Sequence, residues 1–163
     1  MPTEFHDFSA QCKGAIEDAA IAWLYESADE LTSQTIRGTS QEFKDFDVKN
    51  SWKRVVDDEN KKAQVGSDKE AAFWEELGTG EYAVNHDGRR GWWVFVEDEY
   101  KHPSRQKVRT QEEAEDTAAF LRSQGLPAHA TNGTPPNRPL MRAYESTKDW
   151  IINRAKEIFK RLE

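Results

Sequence analysis

The longest regular pattern of apolar positions lies near the start of the chain and predicts a long amphipathic helix. Apolar residues recur there at steps of three and four, which places them on one face of a helix. The stripe runs from about Phe8 to Ile36 and contains Phe8, Cys12, Ile16, Ala19, Ala20, Trp23, Leu24 and Leu31. Gly38 follows at a position where such a helix is expected to end.

A change from helical spacing to alternation predicts a β-hairpin in the next part of the chain. From Phe46 to Val56, alternate positions carry aromatic and β-branched residues, as in a half-buried strand. The polar residues 57–60 predict a turn. Lys61–Val65 then predicts the returning strand of an antiparallel hairpin, which ends at Gly66.

The middle of the chain predicts a strand, a helix and a short extended segment. Gly91–Val96 is rich in aromatic and β-branched residues and favours a strand. Thr110–Gln124 has helical spacing, with Thr110 and Glu113 placed for a capping box and Gly125 placed where the helix should stop. Leu126–Thr131 predicts an extended piece that leads into the proline-rich loop 132–139.

The final part of the chain predicts a second long helix. Pro139 suits its first turn, because the missing N–H of proline costs nothing at that position. One face carries Leu140, Ala143, Tyr144, Thr147, Ile151, Ala155, Ile158 and Leu162, with Trp150 beside them.

These elements together predict an α+β fold in a single domain of residues 1–163. We expect an antiparallel sheet of about four strands, covered by the first and last helices, with the helix of residues 110–124 inserted at one edge. A length of 163 residues matches one ordinary domain. The expected core residues are Leu31, Trp52, Ile151 and Ile158.

The composition predicts a folded protein with a thin core. Mean hydropathy is −0.93 and 33% of the residues are charged, values that approach those of disordered chains. The chain nevertheless has 6 Trp, 4 Tyr and 8 Phe, which supply enough bulky apolar area for a core. The 30 acidic residues outnumber the 23 basic ones, and this balance argues against a protein that coats nucleic acid.

Charge is distributed unevenly along the chain. Residues 1–47 hold ten acidic and three basic residues, whereas residues 138–163 hold seven basic and four acidic ones. Two interpretations remain open: the charges form solvated helix faces, or the acidic and basic ends meet between subunits.

Cysteine content and hydropathy predict a protein made in a cytoplasm. Cys12 is the only cysteine, so no disulfide can form within the chain. No apolar run approaches the length of a membrane span, and Met1 to Ala10 lacks the features of a signal peptide. We therefore expect no membrane partner.

The residues that commonly carry chemistry do not form a recognisable catalytic or metal-binding pattern. The histidines lack the short spacings of a zinc site, so no metal or other cofactor is expected; they are His6, His86, His102 and His129. Glu76 and Glu97, near Trp92 and Trp93, offer a carboxylate pair of the kind that cleaves glycosidic bonds. An alternative function, a small protein that binds or cleaves cell-wall glycan, rests on Trp92, Trp93 and the strand–helix–strand pattern of residues 94–131. It predicts a cleft with facing carboxyl groups.

Trp92 and Trp93 are candidate interface residues. Adjacent residues of a strand point to opposite faces, so both enter a core only where the strand is covered on both sides. One of the two rings is therefore expected to face a partner or a neighbouring part of the chain. Arg138 and Arg142, in the basic stretch 138–163, are further interface candidates.

Three stretches, taken in order, are similar to the gene-product-ten-like tail-component family of long-tailed bacteriophages. The stretches are Ala63–Gly66, Ala71–Gly80 and Asn132–Ala143. The middle one resembles the family's aromatic-x-Glu-aromatic-Gly-Thr signature, and the last resembles its Pro-aromatic-Leu-x-x-Ala entry into a closing helix. The family-motif positions are Gly66, Trp74, Glu76, Gly78, Thr79, Pro136, Pro139, Leu140 and Ala143.

The sequence also departs from the family pattern at several positions. Leu77 and Leu140 stand where the family usually carries an aromatic residue, and Asp47 stands in place of a glycine. The stretch 98–130 looks like an insertion relative to the family pattern.

The resemblance implies a virion structural protein without enzymatic activity. Members of the family act in tail completion or head–tail joining, as rings at the junction of capsid and tail. It therefore implies a homo-oligomer that contacts neighbouring neck or tail proteins, with DNA at most passing through a channel. An acidic and a basic end suit the head-to-tail contacts of such a ring, and an acidic channel wall would repel DNA.

A nucleic-acid-binding module remains a third alternative, since residues 138–163 offer a basic face.

Overall fold

The protein has an α+β fold with two small antiparallel sheets. A computed structural model describes residues 8–40, 47–96 and 109–162. The α-helices of these residues are α1 (Ser9–Gly38), α2 (Val48–Ser51), α3 (Glu70–Leu77), α4 (Gln111–Ser123) and α5 (Pro139–Lys160). Their strands are β1 (Lys53–Asp57), β2 (Lys62–Gly66), β3 (Trp93–Val96) and β4 (Ala128–Thr131).

The chain divides into two compact units. Unit 1 contains the described residues of Met1–Lys69 and Pro139–Glu163. Unit 2 contains the described residues of Glu70–Arg138. The expectation that residues 1–163 act as a single domain stays a prediction.

The long first helix is confirmed and packs on the last helix in unit 1. The indole Nε1 of Trp23 donates a hydrogen bond of 2.9 Å to the backbone oxygen of Ile151. Arg142, near the start of α5, donates from Nη2 to the backbone oxygen of Gly38, at the end of α1, over 3.2 Å. Because these contacts run in opposite order along the two helices, α1 and α5 are antiparallel.

The hairpin is confirmed, but its first strand begins later than the alternating pattern indicates. β1 and β2 pair antiparallel, with Val55 opposite Gln64. The segment before Trp52 forms the short helix α2 instead of a strand. Val48, Ser51 and Trp52 are all buried, and their spacing of three and four residues is that of one helical face. Phe46 lies outside the described residues.

Unit 2 is built around the strand pair β3–β4 and the helix α4. The strands pair antiparallel, with Val94 opposite Ala130 and Val96 opposite Ala128. Ala114 and Ala118 of α4 are fully buried in one cluster with Val94, Val96 and Ala128. The contact between the helix and the strands is therefore formed by small alanine and β-branched valine side chains.

The expected start and end of α4 are confirmed. The Thr110 side chain accepts a hydrogen bond from the backbone N–H of Glu113, whose carboxylate accepts one from the N–H of Thr110 in return. Gly125 follows the helix at a φ of +83°, which favours glycine. The part of 98–130 that the structure describes therefore supplies core residues to unit 2. Residues 98–108 lie outside the described residues, and the view of 98–130 as an insertion stays a prediction.

A single sheet of about four strands is not confirmed. The four described strands form two separate sheets, β1–β2 and β3–β4. The first sheet packs on α1 and the second on α4, so each pair of strands buries one face against a different helix. Two strands are enough for each arrangement.

The predicted core residues are only partly buried. Trp52 is buried, and its indole Nε1 donates to the hydroxyl of Thr39 over 3.0 Å. Leu31 of α1 and the two isoleucines of α5, Ile151 and Ile158, are half-buried. Within the described residues, no helix has the length and apolar character to cross a lipid bilayer.

Candidate functional site

Two of the stretches singled out in the sequence meet in unit 2. We call this contact between Gly78–Gly80 and Asn132–Pro136 the loop junction. Thr79 donates from its backbone N–H to the oxygen of Thr134 over 2.9 Å, and the N–H of Thr134 donates to Thr79 Oγ1 over 2.9 Å. The N–H of Glu81 donates to the oxygen of Asn132 over 3.0 Å. Backbone groups some 50 residues apart in sequence thus satisfy one another without regular secondary structure.

The loop junction requires glycine because its two loops approach very closely. A Cβ atom at Gly80 would lie 2.1 Å from the backbone oxygen of Asn132, and one at Gly133 would lie 2.1 Å from that of Thr79. Gly80 also has a φ of +59°, in the left-handed region. At Gly78, with a φ of +72°, an added Cβ would meet the ring of Pro136 at 2.9 Å. Positions 78 and 80 therefore require glycine because one loop packs closely on the other.

A buried carboxyl group joins α3 to the segment that follows the junction. Glu75 is fully buried, and its Oε1 accepts a hydrogen bond of 2.6 Å from Nδ2 of Asn137. Its backbone oxygen accepts from the N–H groups of Asn137 and Arg138, over 2.8 and 3.2 Å. These bonds fix the segment on α3 at three points.

Glu75 and Asn137 are not among the candidate residues that the sequence predicts. The candidate carboxylate Glu76, the next residue of α3, is half-buried. Ala71, Ala72 and Glu75 share the buried face of the helix, and their spacing of three and four residues could have indicated that Glu75 points inward. The partner Asn137 could not have been identified in this way, because it lies 62 residues further along the chain.

A second carboxylate connects the junction to the loop before β3. Glu81 Oε1 accepts from the backbone N–H of Gly91 and Oε2 accepts from Asn132 Nδ2, each over 3.0 Å. A cavity of about 200 Å³ lies beside this carboxylate, lined by Gly80, Glu81, His86, Gly88 and Arg90. The carboxylate oxygens that could bind a ligand there are already hydrogen-bonded within the chain.

The two tryptophans of the predicted strand are covered to different extents by their own chain. Trp93, the first residue of β3, is 8% exposed, and the guanidinium of Arg89 lies 5.1 Å from the centre of its ring. Trp92 exchanges two backbone hydrogen bonds with Arg109 and packs, half-buried, against the core of unit 2. Their role as interface residues stays a prediction, and Trp92 has more surface to offer a partner than Trp93.

Three of the remaining motif residues lie in unit 1, where they start α5, whereas Trp74 is half-buried on α3 in unit 2. Pro139 and Ala143 are buried and Leu140 is half-buried. The exposed Arg142 lines an open groove with Arg37 and Gly38. A basic group at this place also interacts favourably with the C-terminal end of α1. Of the other two predicted positions, Gly66 ends β2 in the same unit and Arg138, in unit 2, is exposed.

An ion pair links α1 to α5 and shifts the pKa values of both partners. Arg154 donates to both carboxylate oxygens of Glu26, and the bond from Nη2 to Oε1 is 3.1 Å long. Hydrogen bonding to this guanidinium lowers the pKa of Glu26 below its ordinary value of 4.5. The same contact, with a second one to Glu157, raises the pKa of Arg154. Asp29, also on α1, pairs with Arg54, whose guanidinium lies 5.0 Å from the ring centre of Tyr25.

Two apolar stripes of unit 1 face solvent. The first, which we call the α1 stripe, consists of Phe8, Cys12 and Ile16, and the described residues up to Ile16 are all exposed. The second, which we call the α5 stripe, consists of Met141, Tyr144, Ile152 and Phe159 of α5 and of Leu162 in the turn that follows the helix. Tyr144 and Ile152 are 51% and 52% exposed, and Phe159 is half-buried. Contiguous apolar patches of this kind are typical of contact surfaces.

The expectations about metal and glycan chemistry fall partly outside the described residues. Glu97, His6 and His102 are among the residues that the structure leaves out of its description. Among the residues it does describe, no three histidine, cysteine or acidic side chains are grouped so that they could hold a metal ion.

Comparisons of the chain with protein-family models, with curated proteins and with solved structures found no match. The fold and the geometry of the loop junction and the two stripes are therefore the observations on which a function can be argued.

Proposed function

We propose that this chain is a non-enzymatic structural protein of a long-tailed bacteriophage or prophage virion. It assembles with copies of itself as a ring at the neck or tail and acts in tail completion or head–tail joining. It is made in the cytoplasm of the bacterial host and becomes part of the virion, next to other neck or tail proteins. DNA at most passes through a channel in the ring, without sequence-specific binding.

The observation that carries this proposal is the loop junction. The stretches 71–80 and 132–143 each resemble a motif of the phage tail-component family. Their residues Thr79 and Thr134 exchange hydrogen bonds, so parts of the two stretches meet within unit 2. This contact supports taking the two resemblances together.

The exposed α1 stripe supports the self-assembly part of the proposal. Phe8, directly before α1, and Ile16 are each more than half exposed. Burying such side chains between copies removes apolar area from water, which is the main favourable term in protein association. The role requires no reacting group, since contacts between copies are sufficient.

Deletion of the gene from the phage or prophage that carries it tests the proposal. We expect negative-stain electron microscopy to show DNA-filled heads and tails that remain unjoined, and a plasmid copy of the gene to restore complete particles. A plasmid carrying Gly125→Ala should also restore them, because nothing lies within 4 Å of the added Cβ. Normal yields of infectious tailed particles from the deletion would contradict the proposal. Loss of a peptidoglycan-binding or peptidoglycan-cleaving activity instead would favour the glycan alternative.

A further inference from the structure

The exposed side of α5 carries charges in an arrangement that is unfavourable within one chain. Glu145 and Asp149 are exposed and lie one helical turn apart, as do Lys156 and Lys160. Like charges at a spacing of four residues destabilise a helix. All four side chains lie on the same flank of the α5 stripe, since 3.6 residues make one turn. The acidic pair occupies the first half of the helix and the basic pair the second half.

This order of charges is the one that a second, antiparallel copy of α5 would neutralise. Reversing the helix direction brings the acidic half of each copy next to the basic half of the other. A parallel copy would instead place acid against acid and base against base. Charge complementarity of this kind selects the partner and its orientation.

One register also pairs the apolar residues of the stripe. With the twofold axis between Ile151 and Ile152, Met141 lies opposite Leu162 and Tyr144 opposite Phe159. The helical part of the stripe, from Met141 to Phe159, extends over about 27 Å at 1.5 Å per residue. In the same register Lys148, the polar interruption of the stripe, lies opposite the small Ala155, so its long side chain has room to reach solvent.

The flanking charges fit this same register. Glu145 comes to lie level with the interval between Lys156 and Lys160 of the other copy. Hydrophobic pairs and opposite charges therefore agree on a single alignment of two identical helices. In coiled coils, too, apolar positions form the contact between helices and flanking charges set the partner and its orientation.

We propose that the α5 stripe is a twofold contact between two copies of this chain, packed antiparallel along α5. The contact buries Tyr144 and Ile152 and pairs Glu145 and Asp149 with Lys156 and Lys160 of the second copy. It closes on two copies and gives the protein a defined dimer in solution. This dimer is distinct from the head-to-tail contacts that a ring needs, and it does not depend on the proposed phage role.

Disulfide trapping of the full chain tests the orientation. The free Cys12 is exposed, so each variant also carries Cys12→Ser. We expect Ile152→Cys to cross-link with itself, because this position lies at the twofold axis. Met141→Cys should cross-link only when it is mixed with Leu162→Cys. A Met141→Cys variant that cross-links efficiently with itself would overturn the antiparallel arrangement.

Sedimentation equilibrium of the full chain tests whether the residues of the α5 stripe form the contact. We expect a dimer of 18.8 kDa chains whose dissociation constant rises about tenfold or more in Ile152→Glu, since a central interface position is affected. Trp150→Glu is the matched control: Trp150 is 42% exposed on the same helix but off the stripe, and this variant should dimerise like the wild type. A monomeric wild type, or a dimer that survives Ile152→Glu, would overturn the proposal.

Charge-reversal variants distinguish the pairing of charges between the two copies from a general effect of the substitutions on the helix. The double variant Glu145→Lys/Asp149→Lys should dimerise more weakly than the wild type, and so should Lys156→Glu/Lys160→Glu. The fourfold variant that combines both should recover most of the affinity, because opposite charges again face each other. Helical circular dichroism of each variant reports whether the chain is folded. Failure of the folded fourfold variant to exceed both double variants in affinity would contradict the pairing.

Discussion

The indole Nε1 of Trp23 donates a hydrogen bond of 2.9 Å to the backbone oxygen of Ile151, and this bond joins the two longest helices across 128 residues of sequence. Ile151 already belongs to the helical hydrogen-bond pattern of α5, so its oxygen accepts a second donor. The bond fixes the position of α1 along the axis of α5. Together with the pair between Glu26 and Arg154, it holds the helices that carry both exposed stripes.

Trp23→Phe tests this bond between the helices. The variant loses the donor while keeping an aromatic ring, so we expect a decrease in the free energy of unfolding of about 1 to 2 kcal/mol. Trp150→Phe is the control, because Trp150 is 42% exposed, and it should change stability by less than about 0.5 kcal/mol. Urea titration followed by circular dichroism measures both. Equal effects of the two variants would show that the indole bond does not stabilise the pair.

Substitution of glycine in the loop junction tests its close packing. In Gly80→Ala, the new Cβ would lie 2.1 Å from a backbone oxygen of Asn132. We expect a loss of about 3 kcal/mol or more, from the clash added to the strain of the left-handed backbone. Thermal or urea unfolding of the purified variant measures this loss.

Gly125→Ala separates strain from clash. Gly125 also has a positive φ, of +83°, but nothing lies within 4 Å of a Cβ placed there. This variant should lose only about 1 to 2 kcal/mol, the cost of the backbone conformation. If both variants lose the same amount, the close approach of the two loops is not what requires glycine at position 80.

Asn137→Ala tests the buried contact with Glu75. The variant removes the amide that donates to Glu75 Oε1 over 2.6 Å and leaves the carboxyl group fully buried. We expect the free energy of unfolding to fall by about 1 to 3 kcal/mol. Asn85→Ala, at an exposed position of the same unit, should have an effect below about 0.5 kcal/mol. A silent Asn137→Ala would mean that this amide does not hold the segment on α3.

The pair between Glu26 and Arg154 predicts a dependence of stability on pH. The pKa of Glu26 is lower in the folded chain than its ordinary value of 4.5, so the unfolded chain binds this proton more readily. The stabilisation is therefore complete above pH 4.5 and is lost as the pH falls through the lower, folded pKa. Since the Glu26 side chain is 41% exposed, solvent screening keeps the effect small.

Unfolding experiments between pH 7 and pH 3 measure this dependence. We expect Glu26→Gln to lose less stability on acidification than the wild type does. Glu59→Gln, at an exposed position in the hairpin turn, is the control and should follow the wild type. Identical acid sensitivity of wild type and Glu26→Gln would contradict the role of the pair.

Local pattern was sufficient to predict those elements whose cause is local. The capping box of Thr110 and Glu113, the stop at Gly125 and the proline in the first turn of α5 all depend on neighbours within a few residues. The alternating pattern before Trp52 was misleading, because Val48, Ser51 and Trp52 also fit one face of a short helix. With so few residues, the two periods cannot be told apart.

The partition of strands and the loop junction depend on contacts between distant residues. Among the described strands β3 pairs with β4, and nothing in the sequence near β3 indicates this partner, because packing against α4 determines the arrangement. The contact of Thr79 with Thr134 likewise joins residues 55 positions apart. Sequence patterns could mark the glycines and prolines of the two loops as turn residues but could not show that the loops touch.

Native mass spectrometry of the full chain, over a range of concentrations and with neighbouring neck or tail proteins added, tests the central claim of self-assembly most directly. We predict a dimer of the 18.8 kDa chain alone, and larger closed assemblies of a fixed copy number when those proteins are present. A species that stays strictly monomeric under every one of these conditions would contradict the account.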